Sequence, residues 1–386
     1  LANTDLEHLT NMRNRLGLIA EVSGEEKETS AYIAKELRRI EETSGVGLHI
    51  VTGVGYRGMN HGVTAQLGNH PPVLGIRVEM DALRTEDGKT LHTCGHNVHM
   101  ACALGAARHL AARWQQLLCS VRFIFQPGEE TAEGARAMMR DGAFKGLDAI
   151  VGMHVCPGLP AGTVGFCENK YATWGEYSFK ATIRGGGGHI ADPSNTVDII
   201  AALSELALGM NNLKPVRNRW FVRTRAIEAG TANIGPDKGF ISASIRYASP
   251  AAYKGARDAV GTIWDTITEK YGVEIDLSAS SLSLDVPPLA VDRILTRRAA
   301  ELCRKELGSE KVSAFETVRA CDDLAYVAEE VPCVHIVLGT ARPGAVRDSP
   351  LAGLHTPEFP ASVDESCMLT GVQAIVACAK GLLGDE

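Results

Sequence analysis

Apolar residues recur along this chain with two alternating periods. Residues 5–19 and 25–40 carry them at helical spacing on either side of a break at Ser23-Gly24. Two amphipathic helices covering a sheet are expected there. Short runs at 49–52, 62–67 and 73–78 read as strands, and the Ala- and Leu-rich stretch 100–114 reads as a buried helix. An apolar strand over 120–125, a helix over 132–141 and a strand over 149–154 continue the alternation. Strands interleaved with helices predict an α/β sheet, whose ligands gather beyond the carboxyl ends of its strands.

The pattern changes near Tyr177. A strand over 177–184, a helix over 197–213, strands over 220–228 and 240–247, a helix over 251–271 and a strand over 273–278 follow one another. That β-α-β-β-α-β order is the split βαβ arrangement of a ferredoxin-like α+β module. After Pro287-Pro288 come a helix over 291–307, a strand near 333–338 and a final helix over 366–383. The expected architecture is a catalytic α/β sheet domain in two segments, 1–174 and 286–386, with a lid or dimerisation domain inserted at 175–285.

Composition narrows the function. At 386 residues and 45% hydrophobic content the chain exceeds what one core usually serves, which agrees with two domains. The net charge of -7 is spread without long like-charge runs, so nothing electrostatic favours nucleic acid or an anionic membrane as partner. A small molecule is expected instead. Ten cysteines occur without a CxxC pair, and Cys102, Cys119, Cys303 and Cys378 fall among apolar residues, as reduced thiols do. A cytoplasmic location follows as an expectation. No apolar run approaches the roughly 20 residues of a spanning helix, and the amino terminus lacks the basic-then-apolar order of a signal peptide.

The candidate chemistry starts at Cys94-Gly95-His96, on the loop entering the helix expected from residue 100, and at Glu129-Glu130, just past the strand over 120–125. A thiolate, an imidazole and adjacent carboxylates are the groups that hold a divalent metal and activate water beside it. Hydrolysis is the first hypothesis. His154 at another strand end is a further candidate ligand.

Met80-Asp81-Ala82-Leu83, Cys94-Gly95-His96-Asn97-Val98-His99, Phe125-Gln126-Pro127-Gly128-Glu129-Glu130, Gly152-Met153-His154, Gly187-Gly188-His189-Ile190-Ala191-Asp192-Pro193 and Leu354-His355-Thr356-Pro357 stand in this order. Together they resemble the motifs of the M20 metallopeptidase and amidohydrolase family, in its aminoacylase, hippurate hydrolase and indole-acetyl-amino-acid hydrolase branch. The resemblance runs from about residue 8 to 383. It implies one or two divalent ions per subunit, with Cys94 bridging two metals and His96, Glu130, His154 and His355 as the other ligands. Zinc fits these donors by softness, and relatives also use manganese or cobalt.

The same resemblance implies that Glu129 is the general base, that Asp81 orients a ligand, and that His189 stabilises the oxyanion, often in a partner subunit of a homodimer. Asn233 and Arg246 match positions that bind the substrate carboxylate and carbonyl. Some positions depart from the family pattern. Arg84 replaces a proline, Asn97 an aspartate and Gly128 an alanine, while the loop over 86–93 is short. Arg84 is a candidate for binding an anionic substrate, and Gly128 is expected to leave more room or freedom beside Glu129. His92 and His99 read as supporting or surface groups.

The reading is a metal-dependent amidohydrolase that cleaves the C–N bond of a small carboxylated substrate such as an N-acyl amino acid. Alternatives are hydrolytic deamination of a carboxylated arylamine on the same centre, a thiol hydrolase using Cys94 with His96, and a non-catalytic small-molecule-binding relative. A thiol enzyme leaves Glu129-Glu130 without a task.

Overall fold

The computed structural model describes residues 3–189, 196–215, 217, 219–231, 234–277 and 284–384. The chain forms two units, Leu1–Ala172 with Leu289–Val318 and Asp322–Glu386, and Thr173–Pro288 with Arg319–Cys321.

The first unit opens with α1 (Asn3–Leu18) and α2 (Lys27–Ser44). Each buries one stripe: Leu9, Met12 and Leu16 on α1, and Ile33, Leu37 and Ile40 on α2. α2 stops at Gly45, whose φ of 68° lets its N–H reach back to Glu41 O. Strands β1 (Leu48–Val54), β2 (Gly62–Leu67) and β3 (Val73–Glu79) follow, then a small hairpin of β4 (Leu83–Arg84) and β5 (Thr90–Leu91). Next come α3 (His96–Ala111), β6 (Ser120–Gln126), α4 (Gly134–Arg140), β7 (Ala149–Pro160) and β8 (Val164–Phe166).

The second unit contains β9 (Gly175–Arg184), β10 (Gly188–His189), α5 (Ile199–Asn211), β11 (Trp220–Thr231), β12 (Ile234–Tyr247), α6 (Pro250–Tyr271), β13 (Glu274–Asp276) and β14 (Asp285–Val286). Its principal strands lie in the antiparallel order β11-β12-β9-β13, that of a ferredoxin-like sheet. Alternate residues Phe179, Ala181 and Ile183 of β9 turn inward and share a core with Leu203, Leu206 and Met210 of α5 and Val260 and Ile267 of α6.

The chain re-enters the first unit with α7 (Arg293–Leu307), β15 (Val312–Ala314), α8 (Leu324–Val327), β16 (Cys333–Ala341), α9 (Phe359–Ser362) and α10 (Cys367–Gly381). α7 starts where the Asp292 carboxylate accepts from Ile294 N and Leu295 N, both at 2.9 Å. The eight-stranded sheet runs β1-β2-β6-β3-β7-β16-β8-β15, and its middle strands β6, β3, β7 and β16 are parallel. Every residue of β3 and β16 is buried, as expected for parallel strands covered on both faces.

The structure corrects several expectations. The helix read from residue 100 begins at His96, because Gly95 supplies the left-handed turn that starts it. The short loop over 86–93 belongs to the β4–β5 hairpin, and β8, β14 and β15 are too short for periodicity to reveal. Part of the strand expected over 273–278 lies outside the described residues, as do the expectations at 190–193 and Asn233.

The central strand also holds an arginine. Arg77 on β3 is fully buried and pairs with Glu79, with Asp322 at 3.0 Å and with Asp323, while its Nε donates to Gln126 Oε1 at 2.9 Å. Asp323 accepts in turn from Gln126 Nε2 at 2.8 Å and from Ala135 N at 2.9 Å. Removing the cation strands three buried acids. Arg77→Met is therefore expected to cost about 3–5 kcal/mol, read as a lower urea midpoint; an unchanged midpoint contradicts the assignment.

Candidate metal centre

The site forms where parallel strands end, so backbone geometry places its groups before any side chain is chosen. Asp81 follows β3, Glu129 and Glu130 follow β6, and His154 lies on β7. Cys94 and His96 flank Gly95, whose φ is 85° and whose hypothetical Cβ would lie 2.5 Å from Val155 Cγ2. Glycine is required there on both counts. His355 sits in a turn with φ of 61°, a conformation costing about 1–3 kcal/mol for a non-glycine residue. Its N–H is tied to Thr93 O at 2.9 Å, which fastens the turn to the Cys94 loop.

Two donor groups share Cys94. The ligand atoms of Cys94, His96 and His154 lie within 4.8 Å of one another, and so do those of Cys94, Glu130 and His355. Cys94 Sγ is 3.4 Å from His154 Nε2 and 3.3 Å from His355 Nε2, and Glu130 Oε1 is 3.7 Å from His355 Nε2. Glu129 Oε2 lies 3.9 Å from His96 Nε2.

The tautomers suit metal binding. His96 Nδ1 donates to the Asp81 carbonyl at 2.8 Å and His154 Nδ1 to the Val155 carbonyl at 2.9 Å. A carbonyl can only accept, so the Nε2 lone pair of each ring is left for a cation. Asp81 is itself fixed, accepting from Ser23 Oγ at 2.6 Å and from Glu130 N at 2.9 Å. His96 Nε2, Glu130 Oε1 and Asp81 Oδ1 are buried and make no hydrogen bond.

The electrostatics agree with the donor chemistry. Burial, then the neighbouring Glu130, pushes Glu129 well above the usual carboxylate range. Burial likewise raises Glu130 to about 7 and, with Glu130 and Glu129 adding, lifts the Cys94 thiol far up. Burial lowers His96, but its bond to Asp81 and the charges of Glu79, Asp81 and Glu130 outweigh that and carry it to about 10. The centre thus resists more negative charge and welcomes positive charge. Divalent cations fit this donor set.

Two neighbouring acid clusters are excluded as ligand sets. His99 donates from Nδ1 to Glu79 at 2.6 Å and accepts Val155 N–H at Nε2, 3.0 Å away, so neither nitrogen is available. Asp322 and Asp323 lie near Glu129 but already pair with Arg77. His92 and His99, which the sequence alone reads as supporting or surface groups, are both buried. Gly128 corrects one half of its expectation: a Cβ there would meet Met59 Sδ at 2.5 Å, so the position is filled rather than roomy, while its φ of 65° uses the conformational freedom of glycine.

The remaining candidates lie elsewhere in the sequence. Arg84 is exposed on β4. In the second unit, His189 is exposed on β10, and Arg246 on β12 pairs through Nη2 with Glu176 at 2.5 Å while its buried Nη1 makes no hydrogen bond. Arg77, Glu79, Asp322 and Asp323 escaped the sequence reading, although two charges inside an otherwise apolar strand, Arg77 and Glu79, were the available signal.

The chain belongs to peptidase family M20/M25/M40, whose sequence model matches residues 75–380. It is 31% identical to the N-acetylcysteine deacetylase of Bacillus subtilis, over 86% of this chain and 88% of that protein. It is 28% identical to an IAA-amino acid hydrolase of Arabidopsis thaliana, over 86% of this chain and 76% of that one. Its fold matches a dinuclear metal-binding peptidase of the M20 family from Bacillus subtilis with a TM-score of 0.77 and 26% identity, covering 98% of each chain. This chain is thus a metal-dependent hydrolase acting on C–N bonds.

Because Cys94, Glu129 and Glu130 are driven toward their protonated forms, metal binding must release protons. Affinity is expected to fall as pH drops. Calorimetric titration of a divalent ion into chelator-treated protein should give different heats in buffers of different ionisation enthalpy; equal heats contradict the proton release.

Proposed function

We propose that the chain hydrolyses the amide of a small N-acyl amino acid or a related carboxylated amide. The observation that carries the proposal is the convergence of Cys94, His96, Glu130, His154 and His355 with a second, adjacent carboxylate, Glu129. In this reading those five residues hold one or two divalent ions, zinc, manganese or cobalt. A bound divalent ion there acidifies water and polarises a carbonyl.

The protein's own groups do the rest. Glu129, raised by burial and by its acidic neighbours, is suited to accept a proton from water and return it to the departing nitrogen. Asp81 acts by holding His96 in its metal-facing tautomer and by tying down Glu130 N. Arg246 keeps Nη1 for a substrate carboxylate while Glu176 engages Nη2. Asn233 and Arg84 complete the proposed anion contacts. His189 is proposed to donate to the developing oxyanion from a partner subunit. The names of the deacetylase and the amino acid hydrolase noted above support an acylated amino acid as the substrate class.

The proposed homodimer uses the second unit. Ile200 and Leu208 on α5 and Ile227 on β11 are exposed apolar side chains, and among the described residues β11 pairs on one side only, with β12. The proposed location is cytoplasmic, supported by ten cysteines that form no disulfide among the described residues. No helix among the described residues is long and apolar enough to cross a membrane.

Glu129→Gln should retain the metal content of the native protein and lose turnover by about 10²–10⁴-fold; near-native turnover in a metal-replete variant removes Glu129 as base. Leu208→Glu should convert the dimer to a monomer by light scattering, with activity falling in parallel. A fully active monomer contradicts the role given to His189.

A further inference from the structure

The helix-free face of the second unit's sheet concentrates arginine. Phe179, Ala181 and Ile183 of β9 turn toward α5 and α6, so Glu176, of opposite parity, points to the other face. Arg246 of β12 lies directly across from Glu176, and Phe221 of β11 directly across from Arg246. Glu176 is buried and both its oxygens are in use. Oε1 accepts from Ser178 Oγ and from Arg225 Nη2, each at 2.7 Å, while Oε2 pairs with Arg246 Nη2 at 2.5 Å and accepts from Cys321 Sγ at 3.3 Å. One acid thus holds two guanidinium groups from different strands side by side.

Two more arginines join them. Arg319, in the same unit, lies over the Trp174 ring at 5.3 Å, Trp174 is 6.0 Å from the Phe221 ring, and Arg223 lies over Phe221 at 5.7 Å. Among the described residues Arg223 and Arg319 form no ion pair, and those of Arg225 and Arg246 both end on Glu176. Four cations therefore share one carboxylate. They are accessible as well: the Arg225 side chain is 47% exposed, that of Arg246 21%, and Arg223 and Arg319 are exposed. Arg225 commits only Nη2, so its Nε and Nη1 have no partner among the described residues.

Stability does not account for this pattern. An exposed ion pair contributes little, and a second guanidinium beside the first adds a repulsion that a neutral residue at 225 avoids. We propose that Arg225 determines specificity, and that the substrates it selects carry a second carboxylate, as N-acyl-glutamate and N-acyl-aspartate do. The proposal rests on the reading above that Arg246 binds the substrate carboxylate. Arg225, held beside it by the same Glu176, takes the side-chain carboxylate, whose two oxygens match the planar arginine fork. Arg223 and Arg319 add positive potential to the same face.

The test compares the metal-loaded protein on N-acetyl- and N-benzoyl-L-glutamate with the matching L-glutamine derivatives, which keep the shape and lack the second charge. kcat/KM should favour glutamate by about tenfold or more, and the preference should shrink to within about threefold in Arg225→Gln while Arg225→Lys keeps part of it. Equal kcat/KM for the two amino acids in the native protein overturns the proposal, and so does a preference that survives Arg225→Gln intact. Arg246→Ala separates the two readings. Unchanged KM for both substrates in that variant removes Arg246 as the carboxylate contact, whereas a raised KM in a protein without glutamate preference removes Arg225 alone. Turnover of neither acyl series removes the substrate class on which the proposal rests, and the proposal with it.

Discussion

A buried guanidinium organises this molecule. Arg77 sits in the middle of a parallel sheet where water cannot reach it, so its charge must be met by acids drawn from several parts of the chain. Those acids then reach outward. Glu79 fixes His99, and His99 accepts from Val155 N beside His154. Asp323 holds Gln126 and Ala135, which bracket the turn bearing Glu129 and Glu130. One cation thus ties together the strand ends that carry the site.

The arrangement has an electrostatic consequence. Glu79, Asp81, Glu129 and Glu130 crowd around imidazoles and a thiol, and Arg77 alone does not neutralise them. Carboxylates at this spacing cannot all ionise in a dry interior without a countercharge. Divalent ions would supply it, so the field that crowds these acids is the field that favours binding them. Glu26 belongs to the same field: buried and pushed up to about 7 by burial and then by Asp81, it accepts the Gly128 N–H at 2.8 Å and so steadies the turn before Glu129.

Much of the architecture was legible because periodicity reports burial directly. The alternation of strand and helix up to residue 154 gave the α/β class, and the change near Tyr177 gave the β-α-β-β-α-β order of the second unit. The strand-end rule pointed to Glu129 and Glu130 from the hydrophobic pattern alone, whereas His154, expected at a strand end, lies within β7, which runs on to Pro160. His355 was different: it lies more than two hundred residues beyond Cys94 in a turn without periodic signal, and only the resemblance singled it out. The Arg77 network escaped because burial of a charge depends on partners such as Asp322 and Asp323, which are distant in sequence. The room expected at Gly128 was misjudged for a similar reason, since the side chain filling its space is Met59.

The central claim is that Cys94 and the imidazoles around it bind divalent metal through sulfur and nitrogen together. X-ray absorption spectroscopy on zinc-loaded, active protein measures this directly. A sulfur shell at about 2.3 Å alongside nitrogen at about 2.0–2.1 Å is expected, and the sulfur shell should disappear in Cys94→Ser. Active protein whose zinc sees only nitrogen and oxygen would contradict the account.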